Sequence, residues 1–419
     1  MLKERIDAET ALKLFLPHVK PVTRCEEVPL SGAINRVLTR DIIASRDIPP
    51  FDRAAMDGYA VRAEDTFGAS PENPILLDIV GEIEIGEKPG VEVQKGQAVR
   101  IATGAMMPEG SNAVVMIEYT NRVGDSVEIY KAVTPGENVS LRGEDVKAGE
   151  VVLRKKTVLQ PQDIGMLAAL GMKSVEVYKP VVAVMSTGNE LVEPGDGDEE
   201  AGKTIDSNRY ALIAALKELG CEVVDMGISR DNEEELERTI KTALNKADMV
   251  IASGATSVGK KDLLPAVVEK LGKVVVHGVA IKPGMPTALA IADGKPVIML
   301  PGFPVATLIA FYTFVPRILE HMMGFETIRR KWEKARAITA KRIPSSSGMR
   351  TFTRVILRES KDGYIAEPVR TSGSGILSSL VRAHGFVIIP EEKEGVEEGE
   401  EVEVLLIRPL TRCLNAQNI

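Results

Sequence analysis

Residues 181–190 read Val-Val-Ala-Val-Met-Ser-Thr-Gly-Asn-Glu, a short apolar run that ends in a polar loop containing glycine. Three later apolar runs end in loops of the same kind, rich in glycine or proline. The runs are Val181–Met185, Asp248–Ala252, Val274–Ile281 and Val297–Leu300, and their loops are Ser186–Glu190, Ser253–Gly259, Lys282–Pro286 and Pro301–Pro304. This repetition is typical of strands that end in loops at one edge of a sheet.

Helical patterns lie between and after these runs, at Asn208–Leu219, Glu233–Leu244, Leu263–Leu271 and Val305–Leu319. Strands that alternate with helices predict a mainly parallel, doubly wound α/β sheet, with the four loops gathered at the carboxyl ends of the strands. Their backbone N–H groups, hydroxyls, one lysine and two carboxylates suit a phosphorylated or oxyanionic ligand with a metal ion. Glycine and proline are also ordinary turn residues, so any one loop taken alone is explained better by turn formation.

Length and composition limit the classes of protein that remain. At 419 residues the chain exceeds a single hydrophobic core, and its formal charge of −8 argues against a general nucleic-acid binder. Three well-separated cysteines fit a reducing cytosol and exclude a disulfide scaffold or a cysteine-based zinc site. Residues 296–316 carry no charge, but four prolines and Gly302 divide them, which favours a buried core segment over a membrane span. We therefore expect a cytoplasmic protein without a membrane partner.

The rest of the chain is predicted to be mainly β. Ile6–Val19 has the apolar spacing of an amphipathic helix, and Pro161–Leu170 is a second helical segment. Between them, residues 22–178 consist mostly of short alternating runs separated by turns rich in proline and glycine. The α/β part spans about 179–326, and a second β-rich region follows it to the end of the chain.

A second group of polar segments lies in the first β-rich region. Pro49–Tyr59 carries two aspartates and two aromatic residues but is too polar for a core strand. Its Asp57-Gly58 pair is typical of a hairpin turn, and the residues alone favour that interpretation. Arg100–Ala105 and Arg142–Asp145 place a hydroxyl or a carboxylate beside a glycine, which permits a ligand to approach the backbone closely.

The run Pro50–Ala60, Pro-Phe-Asp-Arg-Ala-Ala-Met-Asp-Gly-Tyr-Ala, resembles the signature of the MoeA family of molybdopterin molybdenumtransferases, which includes the E domains of gephyrin and its plant homologues. Further motifs follow in the family's order: Thr103–Ala105, Gly143–Asp145, Ser186–Glu190, Asp206–Asn208, Ser253–Asp262, Lys282–Pro286, Pro301–Pro304 and Gly373–Leu380. The resemblance covers essentially the whole chain.

The resemblance implies an enzyme of molybdenum cofactor biosynthesis. Members of the family insert molybdate into molybdopterin, taking adenylated molybdopterin as the substrate and a divalent cation, usually Mg²⁺. The phosphoanhydride is cleaved and AMP is released. Tungstate has nearly the same size and charge as molybdate, so the natural oxyanion stays open. The implied partners are a second copy in a homodimer, the adenylyltransferase partner protein and the molybdoenzyme apoproteins.

The resemblance also implies four domains. They are an N-terminal helix with an elongated β dimerisation region (1–45 with 139–178), a small β domain carrying the Met-Asp-Gly-Tyr loop (46–138), an α/β molybdopterin-binding domain like the MogA and MoaB proteins (179–327), and a C-terminal β-barrel (328–419). The active site would lie between the α/β domain of one subunit and the small β domain of the other.

The expected site residues fall into two groups. The carboxylates expected to hold the cation and to serve cleavage of the phosphoanhydride are Asp57, Asp145, Glu190 and Asp262. The residues expected to bind the substrate are Thr103, Ser186, Thr187, Gly188, Asp206, Asn208, Ser253, Gly254, Ser257, Gly259, Lys282, Pro283, Gly284, Pro301, Gly302, Arg350, Arg354, Ser374 and Ser378. Among them Lys282 offers a point charge, and Arg350 and Arg354 are expected to clamp the oxyanion.

The chain departs from the family pattern in the loops around the oxyanion. Met285, Phe303 and Ala306 stand where lysine, asparagine and serine are common, and Asn189 stands where aspartate is usual. Each lost donor is worth about 1–3 kcal/mol when buried, which predicts weaker molybdate affinity. Two alternatives stay open. One is the adenylyltransferase step itself, and the other is a catalytically degenerate paralogue that acts as a scaffold or cofactor carrier.

Overall fold

The structure is a computed structural model that describes residues 5–195, 202–254, 263–325, 333–361, 363–370 and 373–410. Its α-helices within those ranges are α1 Ala8–Phe15, α2 Pro161–Ala169, α3 Asn208–Glu218, α4 Glu233–Lys246, α5 Leu263–Leu271, α6 Pro304–Met322 and α7 Leu377–Arg382. Single-turn 3₁₀ helices are Leu16–His18, Leu30–Gly32, Ala63–Thr66 and Ile117–Tyr119. All four helices predicted between residues 208 and 319 are present.

The chain forms two compact units, of which one comprises residues 27–176 and is almost entirely β. Its strands, with the first and the last extending slightly beyond the unit, are β1 Cys25–Pro29, β2 Ile42–Ile43, β3 Arg53–Ala54, β4 Gly58–Val61, β5 Ile75–Ile83, β6 Gln97–Ile101, β7 Ala113–Met116, β8 Thr120–Val123, β9 Ser126–Ile129, β10 Val139–Ser140, β11 Val151–Leu153 and β12 Ser174–Tyr178.

Six of these strands form one sheet in the order β7-β4-β6-β5-β9-β8. Strand β4 is buried on both faces, with Tyr59 and Val61 in one hydrophobic cluster and Ala60 in the other. The pairs β1–β12, β2–β11 and β3–β10 form two-stranded ribbons that join the beginning of the unit to its end. The β-rich prediction for this region is therefore confirmed.

The second unit comprises residues 1–26 and 177–419. Its strands within the described ranges are β13 Val181–Thr187, β14 Leu191–Val192, β15 Thr204–Ile205, β16 Glu222–Ser229, β17 Met249–Gly254, β18 Gly272–His277, β19 Ile281–Lys282, β20 Ala288–Ala292, β21 Lys295–Leu300, β22 Lys334–Thr339, β23 Ile343–Pro344, β24 Arg350–Ser360, β25 Gly363–Arg370, β26 Gly385–Ile389, β27 Gly395–Val396 and β28 Glu401–Leu406.

The α/β part is a six-stranded sheet in the order β16-β13-β17-β21-β20-β18, with helices on both faces. The first four strands run parallel, and β20 pairs antiparallel with both β21 and the edge strand β18, so β20 alone of these six strands is reversed. Helices α3 and α6 contact each other on one face, and α4 and α5 contact each other on the other. The Asn232 side chain caps α4 by accepting the Glu235 N–H at 3.1 Å, and Leu236 and Ile240 bury the apolar stripe of the helix. This confirms the doubly wound fold.

The third apolar run is divided between two sheets, so the prediction that all four loops follow strands of the α/β sheet was wrong for Lys282–Pro286. Residues 274–281 divide between β18, the edge strand of this sheet, and β19, which pairs with β24 in a different sheet. Gly278 breaks the run with a φ of +91°. Apolar composition predicted the burial of this run, but it carried no information about which sheet would receive each half.

The C-terminal sheet closes into a barrel of five strands. The order β24-β25-β22-β28-β26 returns to β24, so these five strands leave no open edge between them. Val355, Ala366, Val387 and Val404 fill the interior. This confirms the expected C-terminal β-barrel.

The N-terminal helix packs against the α/β part of the second unit. The buried residues of α1 include Leu12 and Phe15, and the helix contacts α6 and β18 of the α/β part. Its amphipathic stripe is covered there because those elements present an apolar surface. Among the described residues no helix has both the length and the apolar character needed to cross a membrane.

Candidate functional site

The end of β17 and the loop that follows β21 are joined at one edge of the α/β sheet. Asn208, at the start of α3, donates its side-chain N–H groups to Ser253 Oγ at 2.9 Å and to the Gly302 carbonyl at 2.8 Å. One amide therefore ties the end of β17 to the loop after β21. Because Asn208 is only partly buried in this position, it can still reach a ligand above the strand ends.

The last residues of β13 and β17, Thr187 and Gly254, lie side by side in the parallel ladder. Gly254 has a φ of +137°, and a Cβ there would lie 2.2 Å from the Thr187 carbonyl oxygen. No side chain fits at that distance, so only glycine permits this close approach of the two strand ends.

A buried ionic network supports the first loop. The Ser186 hydroxyl donates to Asp206 at 3.0 Å, and Arg209 Nε donates to the same carboxylate at 2.9 Å. The other guanidinium nitrogens bind Asp225 and Glu193. Burial lowers the pKa of Arg209, but the bonds to Asp225 and Asp206 outweigh it and hold the pKa above its ordinary value. Ser186 and Asp206 are almost fully buried, so their position suits support of the loop rather than ligand contact.

Three side-chain oxygens at the ends of β13 and β16 are buried without a hydrogen-bond partner among the described residues. They are Thr187 Oγ1, Ser229 Oγ and Asp231 Oδ1. Thr187 and Ser229 lie opposite each other in the parallel register. Buried polar atoms normally have partners, so these three neighbouring oxygens leave a place that a water, a ligand or a cation could occupy.

Two carboxylates belong to this edge. Burial raises the pKa of Asp231, the negative charge of Glu190 raises it further, and the Asn189 N–H bond opposes the shift. The Asp231 N–H in turn donates to Asn189 Oδ1 at 3.2 Å, which keeps the two loops together. A cation beside Glu190 and Asp231 would relieve their repulsion, and oxygen ligands are those that Mg²⁺ prefers.

Sequence reasoning missed Asp231, because Glu222–Ser229 does not form a continuous apolar run. The sequence could have marked Asp231 as a site residue only by its position, just beyond β16 and just before Asn232, the cap of α4. Among the described residues no three His, Cys, Asp or Glu side chains form a metal-binding group. The predicted residues Ser257, Gly259 and Asp262 lie outside the described ranges.

A cavity of about 390 Å³ lies beside the third and fourth loops. Its lining comprises Arg5, Ile281, Lys282, Pro283, Gly284, Met285, Pro286, Pro301, Phe303, Ala306, Ser346, Met349 and Ser374. Lys282 Nζ donates to Ser346 Oγ at 3.1 Å. Of the predicted residues, Lys282, Pro283, Gly284, Pro301 and Ser374 therefore share one pocket. Arg5, Ser346 and Met349 were not predicted, because nothing local in their segments marks them.

The other predicted C-terminal residues do not line this cavity. Arg350 Nε pairs with Glu391 at 3.1 Å and is about one-third exposed. Arg354 is 3% exposed and donates to the Gly373 carbonyl and to Ser379 Oγ, both at 3.0 Å, so it holds the segment before α7 in place. Ser378 is exposed on α7.

In the unit of residues 27–176, Asp57 and Thr103 form a direct contact. The backbone N–H and the hydroxyl of Thr103 both donate to Asp57 Oδ1 at 2.7 Å. These two bonds, the backbone one first, hold the pKa of Asp57 below its ordinary value. The carboxyl is exposed and ionised, with its second oxygen available to a cation or a ligand.

Gly58 is not the turn residue that its sequence suggested. It is the first residue of β4, with β6 on one side and β7 on the other. A Cβ at Gly58 would lie 1.9 Å from the Val115 carbonyl oxygen, so glycine is required by the approach of a neighbouring strand. The turn interpretation of Asp57-Gly58 was therefore wrong.

The three polar segments of this unit come together around the Asp57 loop. The Arg142 N–H donates to Asp52 Oδ1 at 2.7 Å, and the Asp145 N–H donates to the Ile48 carbonyl at 3.1 Å. On the other side, the Ala54 N–H donates to the Ala105 carbonyl at 3.0 Å. The carboxylate of Asp145 is exposed, as is that of Asp57.

Comparison with known proteins covers nearly the whole chain. Residues 6–171 match the family described as MoeA N-terminal region (domain I and II), residues 183–321 match the "Probable molybdopterin binding domain", and residues 336–407 match the MoeA C-terminal region (domain IV).

Individual relatives agree with these matches. A Methanocaldococcus jannaschii protein named for molybdopterin biosynthesis is 42% identical over 92% of this chain and 93% of its own length. A Haemophilus influenzae protein named molybdopterin molybdenumtransferase is 36% identical over 91% of this chain and 94% of its own. The crystal structure of a MoeA protein of molybdopterin biosynthesis from Pyrococcus horikosii has a TM-score of 0.81 at 40% identity, covering 97% of this chain and all of that one.

Proposed function

The chain belongs to the MoeA family, and we propose that it is a molybdopterin molybdenumtransferase of molybdenum cofactor biosynthesis. The observation that carries the proposal is the cavity beside the third and fourth loops. Its cationic groups and serine hydroxyls suit a tetrahedral oxyanion, and it lies in the same unit as the strand ends that suit a nucleotide. Binding the oxyanion and the activated pterin close together would provide most of the rate enhancement.

We propose adenylated molybdopterin as the substrate, with cleavage of the phosphoanhydride, release of AMP and passage of molybdate or tungstate to the dithiolene. The end of β17 at Ser253–Gly254 and the loop at Pro301–Gly302 would hold the phosphate groups through backbone N–H groups. Asn208 would keep these two segments together. Lys282 would hold the oxyanion until transfer.

We propose Mg²⁺ as the cation of this reaction. Glu190 and Asp231 would hold it in the α/β part, with Thr187 and Ser229 offering the unpartnered hydroxyl oxygens nearby. Bound there, the ion would neutralise phosphate charge and stabilise the leaving AMP. Asp57, Asp145 and Asp262 stay the further predicted carboxylates of the site.

We propose a homodimer whose site combines residues from both copies. The motivation is chemical, because Asp57 and Asp145 belong to one compact unit and Glu190 and Asp231 to the other. Mixing Asp57→Asn subunits with Glu190→Gln subunits is expected to restore part of the AMP release that each variant lacks alone. Light scattering that shows a fully active monomer, or mixtures without any recovery, would contradict this arrangement.

The reaction is tested by incubating the protein with adenylated molybdopterin, Mg²⁺ and molybdate or tungstate while AMP release is followed. We expect Asp57→Asn and Asp262→Asn to bind the pterin but to release AMP much more slowly, since each loses a charge at constant size. Asp125→Asn is the matched control, because it removes a carboxylate in an exposed hairpin turn of the same unit as Asp57. Parental turnover in Asp262→Asn would remove that residue from the mechanism.

A second candidate is a degenerate paralogue that acts as a scaffold or cofactor carrier. It is favoured by one observation, namely that Met285, Phe303 and Ala306 line the cavity with apolar groups. The same assay separates the two functions. Tight binding of molybdopterin without AMP release, with either oxyanion, would favour the carrier.

A further inference from the structure

The N-terminal segment contributes to the edge of the oxyanion cavity. Ile6 forms a parallel bridge with Val279, and its carbonyl accepts the Ala280 N–H at 2.8 Å. The carbonyl of Ala280 accepts the Arg350 N–H at 2.9 Å. Ala280 is therefore hydrogen-bonded both to the N-terminal segment and to the first residue of β24, directly before the short strand β19 that contains Lys282.

This segment is well anchored. Asp7 caps α1 by accepting the Thr10 N–H at 2.9 Å, and Phe15 at the end of that helix is fully buried. Arg5 therefore stands directly before a backbone bridge and a capped, packed helix. Its backbone position is determined by these contacts, while its side chain is exposed and lines the cavity.

The cationic side chains in and near the cavity differ in whether a carboxylate already neutralises their charge. Arg350 is paired with Glu391, and Lys282 is hydrogen-bonded to the neutral hydroxyl of Ser346. No ion pair joins Arg5 to a carboxylate of the described residues. Arg5 and Lys282 are thus the arginine and the lysine of the cavity lining, at a site that otherwise carries prolines, apolar side chains and two serines.

We propose that Arg5 is an oxyanion-binding residue of this cavity, which supplies the second positive charge opposite Lys282. This inference rests on the proposed function and adds a residue to it. A tetrahedral dianion needs about two compensating charges, and the planar guanidinium can donate two parallel hydrogen bonds to two of its oxygens. The apolar side chain of Met285 leaves that second charge to be supplied from elsewhere, and Arg5 is the cationic side chain, besides Lys282, among the described residues that line the same cavity.

The test is direct titration of the full-length protein with molybdate alone, by calorimetry, without pterin or nucleotide. We expect Arg5→Gln to weaken molybdate binding about tenfold, the effect of losing one charge-assisted contact in a partly exposed site. Lys13→Gln is the matched control, since it removes one positive charge from the exposed face of α1, away from the cavity lining. Its affinity is expected to stay within about twofold of the parent, and thermal melts check that both variants are folded.

A second variant tests whether charge at this cavity is the property that matters. Met285→Lys added to Arg5→Gln returns a cation to the same lining, so affinity is expected to recover most of the loss. Unchanged binding in Arg5→Gln, or an equal loss in Lys13→Gln, would overturn the proposal, as would a parent that binds no molybdate. If Arg5→Gln weakens molybdate binding but the parent releases no AMP, the assignment of Arg5 stands and the proposed function fails. If the parent releases AMP but Arg5→Gln binds molybdate normally, the proposed function stands and the assignment of Arg5 fails.

Discussion

Gly58→Ala is the substitution whose effect the structure defines most sharply. The added Cβ would lie 1.9 Å from the Val115 carbonyl oxygen and 2.9 Å from the Val115 carbonyl carbon. Both are backbone atoms of the neighbouring strand β7, so no side chain can rotate away to make room. The two strands must instead separate by about 1 Å or more before a carbon–oxygen contact is tolerated.

The cost follows from what that separation breaks. Gly58 begins β4, pairs with Met116 on the edge strand β7 and with Ile101 on β6, and belongs to a strand whose four residues are all buried. Losing about two backbone hydrogen bonds costs about 1 kcal/mol each, and forcing extra volume into a packed core costs about 1–3 kcal/mol. We therefore expect Gly58→Ala to lower the free energy of unfolding by about 3–5 kcal/mol and to displace the adjacent Asp57.

Urea unfolding of the full chain, with hydrogen–deuterium exchange of peptides from β4 and β7, measures both effects. Gly90→Ala is the matched control, because Gly90 is exposed in the same unit and its added Cβ would meet no atom within 4 Å. We expect that variant to stay within about 0.5 kcal/mol of the parent. If Gly58→Ala unfolds within 1 kcal/mol of the parent and its strands keep their protection, the close strand approach is not what requires glycine.

Three further predictions concern the site. Arg209→Met leaves the buried Asp206 carboxylate without its cation and should lower the free energy of unfolding in urea by about 3 kcal/mol. Adding Asp206→Asn to that variant should recover part of the loss. A loss below about 1 kcal/mol in Arg209→Met would contradict the network. Thr103→Val removes one of the two hydrogen bonds that lower the pKa of Asp57, so a carbon-13 NMR titration of the variant should show a higher Asp57 pKa than in the parent. The variant should lose stability relative to the parent mainly above pH ~4, where the carboxylate is ionised, and none below the folded pKa. An unchanged Asp57 pKa would exclude the bond. Met285→Lys with Ala306→Ser should bind molybdate about tenfold more tightly than the parent, and unchanged affinity would mean that these positions do not contact the oxyanion.

Local periodicity predicted the elements and the direction of the strands well. The helices α3 to α6 and the ends of β13, β17 and β21 follow from apolar spacing and from glycine and proline at the junctions. Parallel strands necessarily present these ends at one edge, so contacts such as Asn208 with Ser253 were within reach of the sequence. The third loop was not, because β18 and β19 belong to different sheets and no residue in Val274–Ile281 specifies its partner.

The residues that sequence reasoning missed share a physical cause. The position of Arg5 depends on the pairing of Ile6 with Val279. Glycine is required at position 58 because the Val115 carbonyl lies so close. Both are contacts between segments that are distant in the sequence. Asp231 is marked by the burial of an oxygen that finds no partner, which depends on how two strand ends pack. A sequence pattern indicates which face or edge a residue occupies, whereas ligand binding depends on distances between segments. Arg5 and Met285, which we propose to set oxyanion affinity, line the same cavity and must therefore be evaluated as a pair, although about two-thirds of the chain lies between them.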